Sequence, residues 1–149
     1  MKDPVSSACS RRDLIAECVA ERIWAVVGAT NDPSKFGNRV FCCLRDAGYV
    51  VYPINLRGEV VAGDRAYRAL ADLPERPAVV NIVVPPAAGV AVVAQCAQLG
   101  IARVWFQPGA ESLDALELCR QHEIAAVFGA CAMVFRRQWP SLLTLSSGL

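Results

Sequence analysis

Five short runs of uncharged, β-forming residues alternate with segments of helical spacing, and this alternation constrains the fold more than any other feature of the chain. The runs cover residues 23–27, 49–52, 79–84, 104–106 and 124–128. Because they are apolar on both faces, they predict a parallel sheet with helices on each side, hence an α/β fold. Right-handed crossovers then favour a doubly wound, Rossmann-like sheet of five strands in the order 3-2-1-4-5.

An extra N-terminal helix is expected before the first strand. Ser10 and Asp13 have the spacing of a capping box. The apolar face of this helix would consist of Leu14, Ile15, Cys18 and Val19. The expected organisation is a flexible leader over residues 1–9, one domain over residues 10–135 and a C-terminal tail over residues 136–149.

Composition narrows the kinds of partner. The chain has 149 residues, of which 54% are hydrophobic and 19% charged, which suits one domain with a substantial core. The net charge of +1 comes from interspersed signs, so we expect no nucleic-acid or acidic-lipid surface. Residues 77–102 carry no charge, but Pro85 and Pro86 interrupt them, and we expect no membrane span. Partners should be small molecules or proteins.

The cysteines and the first residues bear on location. Seven cysteines, an odd number without C-x-x-C spacing, predict thiols in a reducing cytoplasm rather than disulfides or a metal site. Residues 1–12 include four charges and no apolar stretch, so we expect no secretory signal. The expected location is cytoplasmic.

The loop after the first strand is a candidate phosphate site. In a parallel sheet it lies beside the start of the next helix, where free N–H groups and the helix dipole attract an anion. Gly28 allows a backbone to approach a ligand closely, and Lys35 brings a positive charge. Thr30 and Ser34 offer hydroxyl groups. The alternative is that the loop binds nothing and Gly28 only permits a turn.

Three more loops should meet at the same edge of the sheet, near the switch point beside the first strand. They cover residues 53–57, 84–86 and 107–109. Together with residues 28–35 they offer glycine, proline and amide groups and, apart from Asp32, no carboxylate. This edge is therefore the expected ligand crevice.

Two features that are missing from the sequence narrow the type of nucleotide that we expect. The first loop lacks G-x-G-x-x-G, and no acid follows the second strand to bind ribose hydroxyls. Residues 53–57 read P-I-N-L-R instead, and Arg57 fits a ribose that carries a phosphate. NADP and coenzyme A (CoA) both remain as candidate cofactors.

Four motifs occur in a fixed order within residues 22–135: V-V-G-A-T-N-D-P-S-K, G-Y-V-V-Y-P-I-N, Y-R-A-L-A-D-L-P and V-W-F-Q-P-G. This combination resembles the small stand-alone CoA-binding domain proteins, which are similar to the N-terminal domain of the succinyl-CoA synthetase α subunit. The family usually has Asn-Pro-Lys after the second strand, where this chain has Asn55-Leu56-Arg57 and keeps the charge. It commonly has Arg-Cys near the end, where this chain has Ala130-Cys131 and keeps the cysteine.

The resemblance implies a CoA site with a defined set of residues. The implied phosphate contacts are Gly28, Ala29 and Thr30, with Lys35 supplying charge to the diphosphate. The other implied contacts are Pro53 and Asn55 at the nucleotide, Val84 and Pro85 along the pantetheine arm, and Gln107 and Gly109 at the far wall. We expect Arg57 to bind the 3′-phosphate of the ribose.

No residue is assigned a catalytic role. His122 is the only histidine and is expected to be exposed, away from the crevice. Asp32 is expected to cap a helix or orient the loop rather than act as a base. Cys131 has two interpretations, a small buried apolar residue or a redox thiol near the CoA sulfur that forms a mixed disulfide.

The main functional hypothesis is non-catalytic binding of CoA or an acyl-CoA, for sensing, storage or presentation to a partner. One alternative is a small NADP-dependent oxidoreductase. Another is a ligand-free domain that acts through protein contacts. The helix expected over residues 87–99 is apolar nearly all round, which favours a homodimer.

Overall fold

A parallel sheet forms the centre of the protein. The computed structural model describes residues 10–140, and five of its strands make this sheet. A separate antiparallel hairpin is formed by two further strands. In chain order the strands are β1 (Ile23–Val27), β2 (Val50–Ile54), β3 (Val60–Val61), β4 (Asp64–Arg65), β5 (Val79–Ile82), β6 (Arg103–Phe106) and β7 (Ala125–Val127), of which β3 and β4 form the hairpin.

Helices cover both faces of the sheet, which confirms the doubly wound α/β prediction. They are α1 (Arg11–Val19), α2 (Phe36–Asp46), α3 (Pro86–Leu99), α4 (Leu113–Gln121) and α5 (Ala132–Phe135). Two apolar clusters lie on opposite faces of the sheet. One joins α1, α2 and α5 to Trp24 and Trp105, and the other joins α3 and α4 to Ile82 and Phe106. In the central strands β1, β5 and β6 nearly every residue is buried, as expected for a sheet covered on both faces.

The predicted strand order 3-2-1-4-5 is wrong. β5, the third strand of the sheet, pairs with β1 rather than with β2, and the order is β2-β1-β5-β6-β7. At its carboxyl end, the outer edge of β2 is bridged by Tyr67, whose N–H donates to the Pro53 carbonyl (2.9 Å) and whose carbonyl accepts from the Asn55 N–H (2.8 Å). This crossover contains no helix, only the hairpin and a 3₁₀ turn at Leu70–Asp72. The switch point of the sheet therefore lies between β1 and β5.

The sequence predicted that the second strand ends before Pro53, and this boundary is wrong. The strand continues through Pro53 to Ile54 and pairs with β1 over its whole length. Because β2 is the edge strand of the five-stranded sheet, the missing proline N–H does not interrupt the pairing with β1.

The extra N-terminal helix is confirmed. The Ser10 hydroxyl accepts from the Asp13 N–H (3.1 Å), and the Asp13 carboxylate accepts from the Ser10 N–H (3.4 Å), which is the expected capping box. The predicted leader over residues 1–9 and most of the predicted tail, residues 141–149, lie outside the described residues. Within the tail, Trp139 packs edge-on against Tyr49, with the ring centroids 5.8 Å apart.

The apolar helix α3 is covered partly by its own chain. It buries Gly89, Val92, Val93 and Cys96, and it packs against α4 and the 3₁₀ turn. Its outward residues are mainly small or polar, namely Ala87, Ala88, Ala91, Gln95 and Gln98. The homodimer therefore stays a prediction. Among residues 10–140, no helix is both long and apolar enough to cross a lipid bilayer.

Candidate functional site

The loop between β1 and α2 is held in close contact with its neighbours. Gly28 has φ +100°, and a Cβ there would lie 2.5 Å from the Val83 carbonyl oxygen. A Cβ on Gly37 would lie 2.1 Å from the Gly28 carbonyl oxygen. Glycine is therefore required at both positions by the protein's own backbone, a structural role that the sequence left open for Gly28 beside close approach of a ligand.

Short polar bonds give the loop its shape. One carboxylate oxygen of Asp32 accepts from the Ser34 hydroxyl (2.7 Å) and the Ser34 N–H (3.0 Å). The hydrogen bond from the Ser34 hydroxyl is the main reason why the pKa of Asp32 is lowered. Lys35, not Asp32, is the N-cap of α2. Asp32 therefore orients the loop, one of the two structural roles expected for it.

Several backbone N–H groups of this region have no hydrogen-bond acceptor within residues 10–140. They belong to Ala29, Thr30, Asn31, Phe36 and Gly37. The N-cap Lys35 makes no side-chain capping bond, and its side chain is exposed. The loop and the first turn of α2 thus present free donors, the positive end of a helix dipole and an ammonium group together.

Asn55 connects this loop to the end of β2. Its side-chain amide donates to the Ala29 carbonyl (2.9 Å), and its side-chain oxygen accepts from the Arg57 N–H (2.8 Å). Both ends of the side chain are engaged, so Asn55 positions the loop. Pro53 is buried in β2 just before it.

The side chain of Arg57, unlike its backbone N–H, takes no part in these contacts. Its side chain is 84% exposed, and its guanidinium is 3.5 Å from the Glu59 carboxylate. Leu56, beside it, is 87% exposed. An ion pair this exposed adds little stability.

The loop after β5 faces Gly28. Val84 is half-buried, and its Cγ1 lies 3.0 Å from the position of a Cβ on Gly28. Pro85 is exposed and is the N-cap of α3. The structure therefore brings the predicted pantetheine residues next to the predicted phosphate loop.

The side chain of Gln107 points into the protein. It is 4% exposed, and its oxygen accepts from the Ala132 N–H (2.9 Å) and from the Asn81 amide (3.3 Å). Its amide donates to the Cys131 Sγ (3.4 Å). Gln107 thus connects β5, β6 and α5, and the turn after it exposes Pro108 and the backbone of Gly109 (φ +93°) to solvent.

The thiols differ in their surroundings. Burial raises the pKa of Cys96 to about 12 and that of Cys119 to about 11. Cys131 is half-buried and is the N-cap of the short helix α5. It is therefore not the fully buried apolar residue of the first interpretation. Among residues 10–140 no cysteine takes part in a disulfide, and no cluster of side chains suited to a metal is found.

Sequence reasoning missed several residues that shape the site. Asn38 is 8% exposed and donates its amide to the Thr30 carbonyl (2.9 Å). Asn81 is fully buried, and its side-chain oxygen has no partner within residues 10–140. An asparagine inside the apolar run V-V-N-I was a readable signal for Asn81. Asn38 had no comparable signal, because a polar residue in the first turn of a helix is ordinary.

The exposure predicted for His122 is confirmed. It is exposed at the C-cap of α4. Because β7 begins three residues later, His122 lies at the amino edge of the sheet, opposite the loops described above.

Comparison with known proteins gives a consistent result. Residues 22–137 match the family model described as a CoA binding domain. Over 78 residues, 52% of this chain, the sequence is 38% identical to the α subunit of acetate–CoA ligase [ADP-forming] II from Pyrococcus furiosus. This chain spans only 17% of the length of that relative.

Solved structures of small proteins show the same fold. A hypothetical protein from Pyrococcus horikoshii superposes with a TM-score of 0.80 and 29% identity, covering 91% of this chain and 94% of the other. A conserved hypothetical protein from Pyrococcus furiosus gives a TM-score of 0.73 and 35% identity, covering 76% of this chain and 97% of the other.

Proposed function

The chain belongs to the family of CoA-binding domains, and from this premise we propose that it binds coenzyme A or an acyl-CoA without catalysing a reaction of its own. Sensing, storage and presentation of the ligand to a partner all need only binding. The proposal concerns this chain alone, since the ligase subunit it resembles is a much longer protein.

The observation that carries the proposal is the group of backbone donors without acceptors at the β1–α2 loop and the first turn of α2. Unpaired N–H groups at a helix start are suited to phosphate oxygens. CoA has a diphosphate and a further phosphate on its ribose. The exposed ammonium of Lys35 beside these donors adds the positive charge that such a ligand needs.

The layout of the sheet suits a long ligand. The carboxyl ends of β2, β1, β5 and β6 are consecutive, and at about 4.8 Å per strand they form a row about 14 Å long. The predicted nucleotide, phosphate and pantetheine residues follow one another along this row. The row continues to β7. After this strand, the Cys131 Sγ accepts a hydrogen bond from the Gln107 amide. This order supports an extended CoA with its sulfur toward Cys131.

The residues also support binding without catalysis. His122 lies at the opposite edge of the sheet, and the Asp32 carboxylate is engaged by Ser34. General acid–base catalysis needs a group within hydrogen-bond reach of the reacting atom. The groups that the crevice offers to a ligand include backbone N–H groups and the Lys35 ammonium, which bind and orient an anion.

Titration calorimetry with CoA and with NADPH tests the ligand. We expect CoA to bind more tightly, and we expect Lys35→Ala to weaken CoA binding by about three- to tenfold, because one exposed charged contact is lost. Arg76→Ala is the matched control, since it removes an exposed cation before β5, at the other edge of the sheet. It should leave the affinity for CoA unchanged.

Mass spectrometry of the purified protein under non-denaturing conditions gives a second readout. We expect a complex of one chain with one CoA. Tighter binding of NADPH than of CoA would indicate the oxidoreductase alternative, and binding of neither would indicate a domain that acts through protein contacts.

A cytoplasmic location and a symmetric pair of chains belong to the same proposal. The absence of disulfides among the cysteines of residues 10–140 supports a reducing compartment. The exposed alanines on α3 leave an outer face that a second chain would cover.

A further inference from the structure

A cationic cavity of about 450 Å³ lies beside the end of β2, on the side away from β1. Its lining consists of Gly58, Arg65, Ala66, Tyr67, Arg68 and Asp72. All of these residues belong to the crossover between β2 and β5.

The backbone of the crossover sets the position of this cavity. Tyr67 is hydrogen-bonded to Pro53 and to Asn55, so residues 66–68 run alongside the end of β2. The hairpin before them is anchored too, because the Asn31 side-chain oxygen accepts from the Ala62 N–H (2.9 Å) and Arg45 pairs with Asp64 (2.9 Å). The cavity is therefore joined to the phosphate loop through ordered contacts.

Two guanidinium groups line the cavity without a partner. Arg65 lies over the Tyr67 ring, 5.2 Å from its centroid. The Nε of Arg68 is 2.9 Å from the position of a Cβ on Gly58, so the Arg68 side chain lies against the bare glycine backbone. Within residues 10–140, neither guanidinium has a hydrogen-bond acceptor or an acidic ion-pair partner. Asp72 is the one acid in the lining, which leaves a net positive charge.

Arg57 differs in two respects, although all three arginines are exposed. It does not line the cavity, and the Glu59 carboxylate lies 3.5 Å from its guanidinium. A phosphate bound at Arg57 would meet one guanidinium and the Glu59 carboxylate, whereas a phosphate in the cavity would meet two guanidiniums and the Asp72 carboxylate.

We propose that Arg65 and Arg68 bind the 3′-phosphate of the CoA ribose and that this cavity, rather than Arg57, distinguishes CoA from dephospho-CoA. The inference rests on the proposed function, in which the nucleotide lies at the end of β2. A guanidinium grips a phosphate with two parallel hydrogen bonds, and Arg65 is already held against an aromatic ring. The Asp72 carboxylate opposes the phosphate and limits the affinity.

The test is titration calorimetry of CoA and of dephospho-CoA, which lacks the 3′-phosphate, with a set of single variants. We expect Arg68→Ala and Arg65→Ala each to lower the affinity for CoA by about fivefold or more. The affinity for dephospho-CoA should change by less than about twofold. Asp72→Asn should strengthen the binding of CoA severalfold and leave that of dephospho-CoA unchanged. Arg57→Ala tests the assignment made from the sequence, and we expect it to change the affinity for either ligand little. Thermal unfolding of each variant confirms that it is folded.

The outcomes separate this inference from the proposed function. If Arg57→Ala removes the preference for CoA while Arg65→Ala and Arg68→Ala keep it, the cavity is not the phosphate site, although CoA binding stands. The inference is also overturned if Arg65→Ala and Arg68→Ala lower the affinities for both ligands equally. If the unaltered protein binds neither ligand, the proposed function itself fails.

Discussion

Amide side chains hold the crevice together residue by residue. Asn38 and Asn55 donate to the carbonyls of Thr30 and Ala29, and Gln107 joins three segments at the far end. Each bond satisfies a backbone group that would otherwise be unpaired where the chain turns. These amides position the loops, whereas backbone N–H groups and cations are the groups expected to bind the ligand.

At the same scale, the environment of each thiol predicts its reactivity. With CoA disulfide, the Cys131 thiolate should attack one sulfur, form a mixed disulfide and release one CoA thiolate. We expect this adduct at Cys131 well before Cys96 or Cys119, because burial raises the pKa values of those two thiols to about 12 and about 11 and keeps them protonated. Peptide mapping by mass spectrometry locates the adduct.

Glutathione disulfide is the control for this reaction. It lacks the nucleotide, so it should modify Cys131 more slowly than CoA disulfide does, while the half-buried Cys42 should react alike with both. Adducts found at other cysteines alone would count against a CoA sulfur near Cys131.

At the scale of elements, the contact between the β1–α2 loop and α2 is the tightest part of the site. Gly37→Ala places a methyl group 2.1 Å from a backbone oxygen, so α2 must move away from the loop. We expect a loss of about 1–3 kcal/mol of unfolding free energy, as for other overpacked positions. CoA binding should weaken by at least about tenfold, because the loop donors and the helix start separate.

Gly89→Ala, within α3, is the matched control. Its added methyl group has no neighbour nearer than 3.7 Å, and alanine favours a helix interior over glycine by about 1 kcal/mol. The midpoint temperature of thermal unfolding should therefore rise for Gly89→Ala and fall for Gly37→Ala. A Gly37→Ala variant as stable as the unaltered protein and equally able to bind CoA would contradict the packing argument.

At the scale of the whole molecule, the outer face of α3 predicts assembly. We expect light scattering to give about twice the mass of one 16.0 kDa chain at micromolar concentration. Ala91→Arg places a charge at the centre of that exposed face and should yield single chains. Ala102→Arg, at an exposed position outside α3, should not. A mass of one chain for the unaltered protein would contradict the pair.

Much of this molecule was readable from the sequence because periodicity and turn residues act locally. The five core strands, the helices between them, the capping box at Ser10 and the exposed His122 all follow from residues close together in the chain. The four loops at the carboxyl edge followed as well, since parallel strands place their ends together. The four motifs also pointed to CoA, and the family match agrees with them.

Only the tertiary structure decided which strand lies beside which and which cation faces a cavity. Strand order depends on long-range pairing, and here β5 pairs with β1, while Tyr67 bridges β2 at its carboxyl end. The direction of a side chain depends on its neighbours in space. The Arg57 side chain is exposed beside Glu59, whereas the Arg68 side chain lies against the glycine backbone at residue 58. Local sequence shows that arginines are present after β2, but only packing shows which of them remain unpaired.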